Sequence, residues 1–83
     1  MREELDKFHP LSYKGNLTQA SFDLFEEIEE TLYDKSLKES DIVWSIHYKI
    51  TTMMEICDPT LEDYKWLNGM LEIVEREMEK QQC

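Results

Sequence analysis

The sequence predicts an all-α protein: a three-helix antiparallel bundle with a short N-terminal helix or arm, with dimerisation left open. Three observations predict it. Apolar residues recur at helical spacing in three stretches separated by short polar connections. Glycine and proline are scarce, two of each: Pro10 and Gly15 precede the first stretch, Pro59 stands at the start of the last, and only Gly69 lies inside one. The 83 residues suffice for one domain. That single helical domain divides into an arm and loop over 1–16 and a bundle over 17–83.

Taken in order, Arg2 to Phe8 reads as a short helix with Leu5 and Phe8 as its apolar contacts, ended by Pro10. Residues 11–16 read as an irregular loop lying across the bundle through Leu11 and Tyr13. The next helix runs from about Thr18 to Asp34. Thr18 suits an N-cap, and Leu17 with Phe22 suits a hydrophobic staple. Leu24, Phe25, Ile28 and Leu32 make its apolar stripe. The opposite face carries Asp23, Glu26, Glu27, Glu30 and Asp34 with no base among them.

The third stretch contains IVWSIHYKI, from Ile42 to Ile50, which alternates like a strand. A helix is preferred because the spacing 4, 4, 3, 4 through Ile42, Ile46, Ile50, Met53 and Cys57 outlasts the alternation. No turn residue interrupts Ser40 to Cys57. Ser36 to Glu39 offers a capping box, and Ser40 or Asp41 a later cap. The helix is expected over 38–57. The last helix is expected to start at Asp58 as N-cap with Pro59 in its first turn, and to run to about Glu79. Its seam is Tyr64, Leu67, Leu71, Val74 and Met78. Gly69 reads as a tolerated exposed glycine, in preference to a close crossing of another helix.

Two helices carry more apolar surface than one stripe requires. Trp44 and Tyr48 lie well round from the main stripe of 38–57. Trp66, Met70 and Ile73 form a second stripe on the last helix. A central helix with two neighbours, or an arm folded over the bundle, would absorb some of this. The preferred reading is a self-association or partner-binding surface of Trp44, Tyr48, Trp66, Met70 and Ile73, since tryptophan and tyrosine lead among interface anchors and methionine suits adaptable surfaces.

Nineteen acids against nine bases give a net charge of −10. This disfavours direct binding to nucleic acid or to anionic membranes and favours a partner with a basic surface. No apolar run approaches the ~18 residues needed to span a bilayer, and the first ten residues lack a signal-peptide core. Cys57 and Cys83 are too few for a disulfide scaffold; free thiols and a cytoplasmic location are the simplest reading.

No motif for chemistry is present: GxGxxG, GxxxxGK[ST], CxxC and HExxH are all missing. Two histidines cannot supply a zinc site, and no cofactor is implied. His47 reads as a bundle-edge or surface side chain. The paired acids are solvated neighbours that do not converge, so no catalytic residue is assigned and the protein is not expected to be an enzyme.

The leading functional expectation is a non-enzymatic protein-binding module. It would be a small inhibitor, antitoxin- or immunity-like or regulatory protein, using the aromatic helical surface with an acidic rim. The docking face on the 18–34 helix would be Asp23, Glu26, Glu27, Glu30 and Asp34. This reading expects Trp66→Ala to abolish partner capture while the monomer stays folded. The alternatives are an acidic nucleic-acid mimic occupying a DNA- or RNA-binding protein, and a structural homodimer. The compact acidic helical character is similar to that of small regulators, antitoxins, immunity proteins and phage-encoded inhibitors, at the level of fold and without a shared motif.

Overall fold

The computed structural model describes residues 2–13, 17–56 and 58–82. Four helices pack together: α1 (Arg2–Asp6), α2 (Gln19–Leu32), α3 (Glu39–Ile56) and α4 (Leu61–Gln82). No strand occurs among the described residues. The alternation in IVWSIHYKI therefore arises from two stripes interleaved on one helix. Among the described residues no helix is long and apolar enough to cross a membrane. Cys57, Cys83 and residues 14–16 lie outside the described residues, and with them the thiol assignment and part of the 11–16 loop.

α3 lies against both α2 and α4, and α1 packs on α4. One core gathers Leu24, Phe25, Ile28 and Leu32 from α2, Ile42, Val43, Ile46, Ile50 and Met53 from α3, and Trp66, Leu67, Met70 and Val74 from α4. Leu5 of α1 is buried in the same core. For α2 and α3 these are the expected stripes. A Cα radius of gyration of 12.2 Å is what a chain this long adopts around one core.

The boundaries differ from expectation at three caps. α2 stops at Leu32, so Asp34 falls beyond its C-cap, Tyr33. There the Asp34 carboxylate accepts the Ser36 hydroxyl at 2.6 Å and the Ser36 backbone N–H at 2.9 Å. Those two bonds, the hydroxyl first, hold Asp34 below the usual carboxylate pKa. α3 starts at Glu39, so Ser36 lies in the preceding turn and is not the cap of that helix. α4 starts at Leu61, not at Asp58. Asp58 takes a φ of +47°, a left-handed conformation that aspartate tolerates and a helix start does not. The cap is Thr60, whose Oγ1 accepts the Asp63 backbone N–H at 3.2 Å.

The carboxylate of Asp63 reaches from the start of α4 to the start of α2. It accepts the Thr18 backbone N–H at 3.1 Å, the Thr18 hydroxyl at 2.9 Å and the Ser21 hydroxyl at 2.9 Å. Thr18 thus caps α2 by position without making its own side-chain cap bond. Both helices begin at the same end of the molecule, pinned by one buried carboxylate.

The arm is fastened to α4 at two points. The Phe8 carbonyl accepts the Trp66 Nε1–H at 2.7 Å. The Phe8 ring lies on Gly69: a Cβ there would stand 2.6 and 2.8 Å from two ring carbons. Gly69 is therefore a seat for the arm and not a free exposed glycine, which corrects the sequence reading. Tyr13 stacks on the Phe8 ring with centroids 6.2 Å apart, while Leu11 points to solvent. A consequence can be measured. In a Phe8→Ala background, Gly69→Ala should stabilise by about 1 kcal/mol through helix propensity alone. In the native background that gain should vanish, because the ring must leave its seat. Chemical denaturation of the four proteins of this cycle gives the coupling. An equal gain in both backgrounds would show that Phe8 does not occupy the seat.

Candidate functional site

The inward stripes decide what is left outside. On α2, burial of Ser21, Leu24, Phe25, Ile28 and Leu32 turns Asp23, Glu26, Glu27 and Glu30 to solvent. On α3, burial of Ile42, Val43, Ile46, Ile50 and Met53 leaves Trp44 and Tyr48, one turn apart, 54% and 70% exposed.

These two outward faces meet in a groove of about 420 Å³ between α2 and α3. Ala20, Asp23, Leu24 and Glu27 line one wall, and Tyr48, Lys49, Thr52 and Met53 the other. Leu24 and Met53 are core residues whose edges form the floor. The wall positions follow helical geometry: residues three and four apart fall on one edge. Asp23 also accepts the Gln19 side-chain amide at 3.1 Å. Lys49 is half-buried in the opposite wall. Trp44 continues the Tyr48 edge and meets the His47 ring edge-on at 6.2 Å. His47 itself is half-buried beside the inward stripe.

The structure divides the residues that the sequence grouped together. Trp44 and Tyr48 stand free on α3. Trp66 and Met70 are fully buried and Ile73 is half-buried against the core, so none of the three adds to a surface shared with Trp44. The placement of Trp66 and Met70 on a partner surface is corrected. The reason is the arm: α4 is covered by α3 on one flank and by α1 on the other, so it buries a wider face than one seam. The same wide face corrects the seam itself. The buried line runs through Asp63, Trp66, Leu67, Met70 and Val74, with Leu71 and Met78 at its margin and Tyr64 exposed. Of the acidic face, Asp23 and Glu27 reach the groove, Glu26 and Glu30 stay on the exposed helix, and Asp34 belongs to the following turn.

Sequence reasoning missed Ala20, Lys49 and Thr52 in the walls of the groove, and nothing in their types announced it. It also missed the role of Asp63 outside the groove. Asp63 carried a legible signal: Thr60-Leu61-Glu62-Asp63 has the spacing of a capping box, with aspartate in the acidic position. Asp63 is held below the usual carboxylate range. Burial pushes it up, and the donors from Thr18, Ser21 and Thr60 outweigh that.

Among the described residues no group of three or more His, Cys, Asp or Glu is placed to hold a metal ion. The groove offers contact area and charge: a small apolar floor, an aromatic edge and a carboxylate wall. No family model, curated protein or solved structure matches the chain.

Proposed function

We propose that this chain is a non-enzymatic protein-binding module, a small inhibitor or regulator of the antitoxin or immunity type. It acts in the cytoplasm on a protein with a basic surface. Its scaffold is an antiparallel bundle of α2, α3 and α4, with α1 as an arm that seals α4. The binding face is the α3 edge of Trp44 and Tyr48 together with the α2 edge of Asp23 and Glu27. The observation that carries this reading is the exposure of two large aromatic side chains one turn apart beside a carboxylate-walled groove. Aromatic anchors contribute most of the affinity in such surfaces, and surrounding acids set the approach of a basic partner.

The test uses a displayed library of small proteins and peptides. Binders are selected on the native chain and re-assayed on Trp44→Ala and Tyr48→Ala. Each substitution should weaken capture at least about tenfold, the loss of one anchor of about 1.4 kcal/mol or more. Tyr48→Ala should shift folding stability by no more than about 0.5 kcal/mol, and Trp44→Ala, whose ring is half-exposed against His47, by no more than about 1 kcal/mol. Binders that hold equally well to both variants would place the functional surface elsewhere.

A further inference from the structure

We infer that the groove between α2 and α3 takes one occupant, a basic amphipathic helix lying along it, with its charges in a set order across the groove. The inference rests on the protein-binding reading above and goes further by naming the partner's chemistry and pose. Asp23 and Glu27 are one turn apart on the α2 wall, so their Cβ atoms are about 5–6 Å apart along the groove. Two lysines or arginines one turn apart on an incoming helix match that pitch. The floor of Leu24 and Met53 is apolar and flanked by the small Ala20 side chain, which leaves room for a leucine- or methionine-sized residue between the charges. The opposite wall presents Lys49 beside Tyr48. The occupant's other edge therefore carries an acid or a neutral polar residue, not a third base.

Charge decides against a second copy. A chain of net charge −10, with carboxylates on the groove wall, repels its own acidic helices. An apolar stripe flanked by bases on one edge is the complement, and a helix in a groove between two packed helices is an established mode of recognition.

The probe is a synthetic helical peptide with a leucine stripe, a lysine pair one turn apart on one edge and glutamate on the other. Its control has the same composition with the stripe scrambled. Trp44 emission and amide chemical shifts report binding, with Trp44→Phe separating the Trp44 signal from that of buried Trp66. The patterned peptide should bind at least tenfold more tightly than the scrambled one and shift residues 20–27 and 48–53. Asp23→Lys with Glu27→Lys should lose at least tenfold, and a peptide carrying glutamates in place of the lysine pair should recover it. Both sites are exposed, so the charge-reversed chain keeps its fold, which circular dichroism checks. Equal binding of patterned and scrambled peptides would overturn the inference, as would no binding, or a stable dimer in solution with Tyr48 at its interface. If selected binders depend on Trp44 and Tyr48 but are not helical or not basic, the inference fails and the protein-binding reading stands.

Discussion

Trp66→Ala is expected to cost about 3–5 kcal/mol of folding stability, the range for removing a buried large aromatic side chain. A domain of this length is stable by about 4–12 kcal/mol in all. The substitution would therefore leave the chain partly unfolded at ambient temperature or lower its melting temperature by about 12 °C or more. Two losses combine. The indole fills the space between α4, the Phe25 ring 6.1 Å away and the arm. Its Nε1–H is also the donor to the Phe8 carbonyl. Trp66→Phe separates them: it keeps most of the ring volume and removes the donor. About 1–3 kcal/mol should follow, with hydrogen-exchange protection lost first in α1. Thermal denaturation by circular dichroism checks the first figure and amide exchange the second. A Trp66→Ala chain that melts within a few degrees of the native one would mean that the indole is not in the core. The expectation from sequence was the reverse, a folded monomer that fails to bind. Partner capture by this variant would report folding and not the docking surface; Trp44 and Tyr48 are the residues that separate the two.

Why the sequence misplaced Trp66 but placed Trp44 is a matter of which neighbours periodicity can see. A stripe reports how much apolar surface a helix carries, not which element covers it. On α2 one stripe meets one core, so the reading from Leu24 to Leu32 matches the buried set. On α3 the main stripe is likewise legible, and the outlying pair Trp44 and Tyr48 stays exposed, while the arm packs on α4. On α4 the second stripe is covered by the arm, through Leu5 of α1 and Phe8 just beyond it, where the sequence reading lets such an arm absorb only some of the surplus. Their effect is larger than their number because Gly69 lets Phe8 approach closely and Trp66 gives the arm a hydrogen bond. Both features are three-dimensional pairings across about sixty residues of chain, beyond any local pattern. The groove is similarly half legible. Its acids and Tyr48 stood out as surface features, while its floor is made by edges of core residues that only the packing of α2 on α3 brings side by side.

Asp63→Ala is expected to cost about 2–3 kcal/mol, and for a polar reason. Removing the carboxylate leaves the fully buried Ser21 hydroxyl without an acceptor, while the Thr18 N–H and hydroxyl, at the exposed start of α2, lose a charged acceptor and turn to water. A buried donor without an acceptor carries its full desolvation cost, and bonds to a charged acceptor are the stronger kind. Asp63→Asn keeps one acceptor oxygen but loses the charge, and should cost about 1.5–3 kcal/mol at neutral pH. The pH dependence isolates this group. Its pKa is lower in the folded state than in the unfolded chain, where an aspartate titrates near 3.9. The unfolded state therefore takes up the proton first as pH falls. The stabilisation is complete above that value and is lost as pH drops from about 4 through the folded-state pKa. Asp63→Asn has no such loss, so the native and variant stability curves should run apart at pH 7 and converge below about pH 4. The other acids contribute equally to both curves and cancel in the difference. Urea denaturation of the two proteins from pH 7 to pH 3 makes the comparison. A difference that stays constant across that range would mean that the Asp63 carboxylate is not the charged pin between α2 and α4. Convergence would assign part of the acid lability of the fold to this one buried group at the shared end of the two helices.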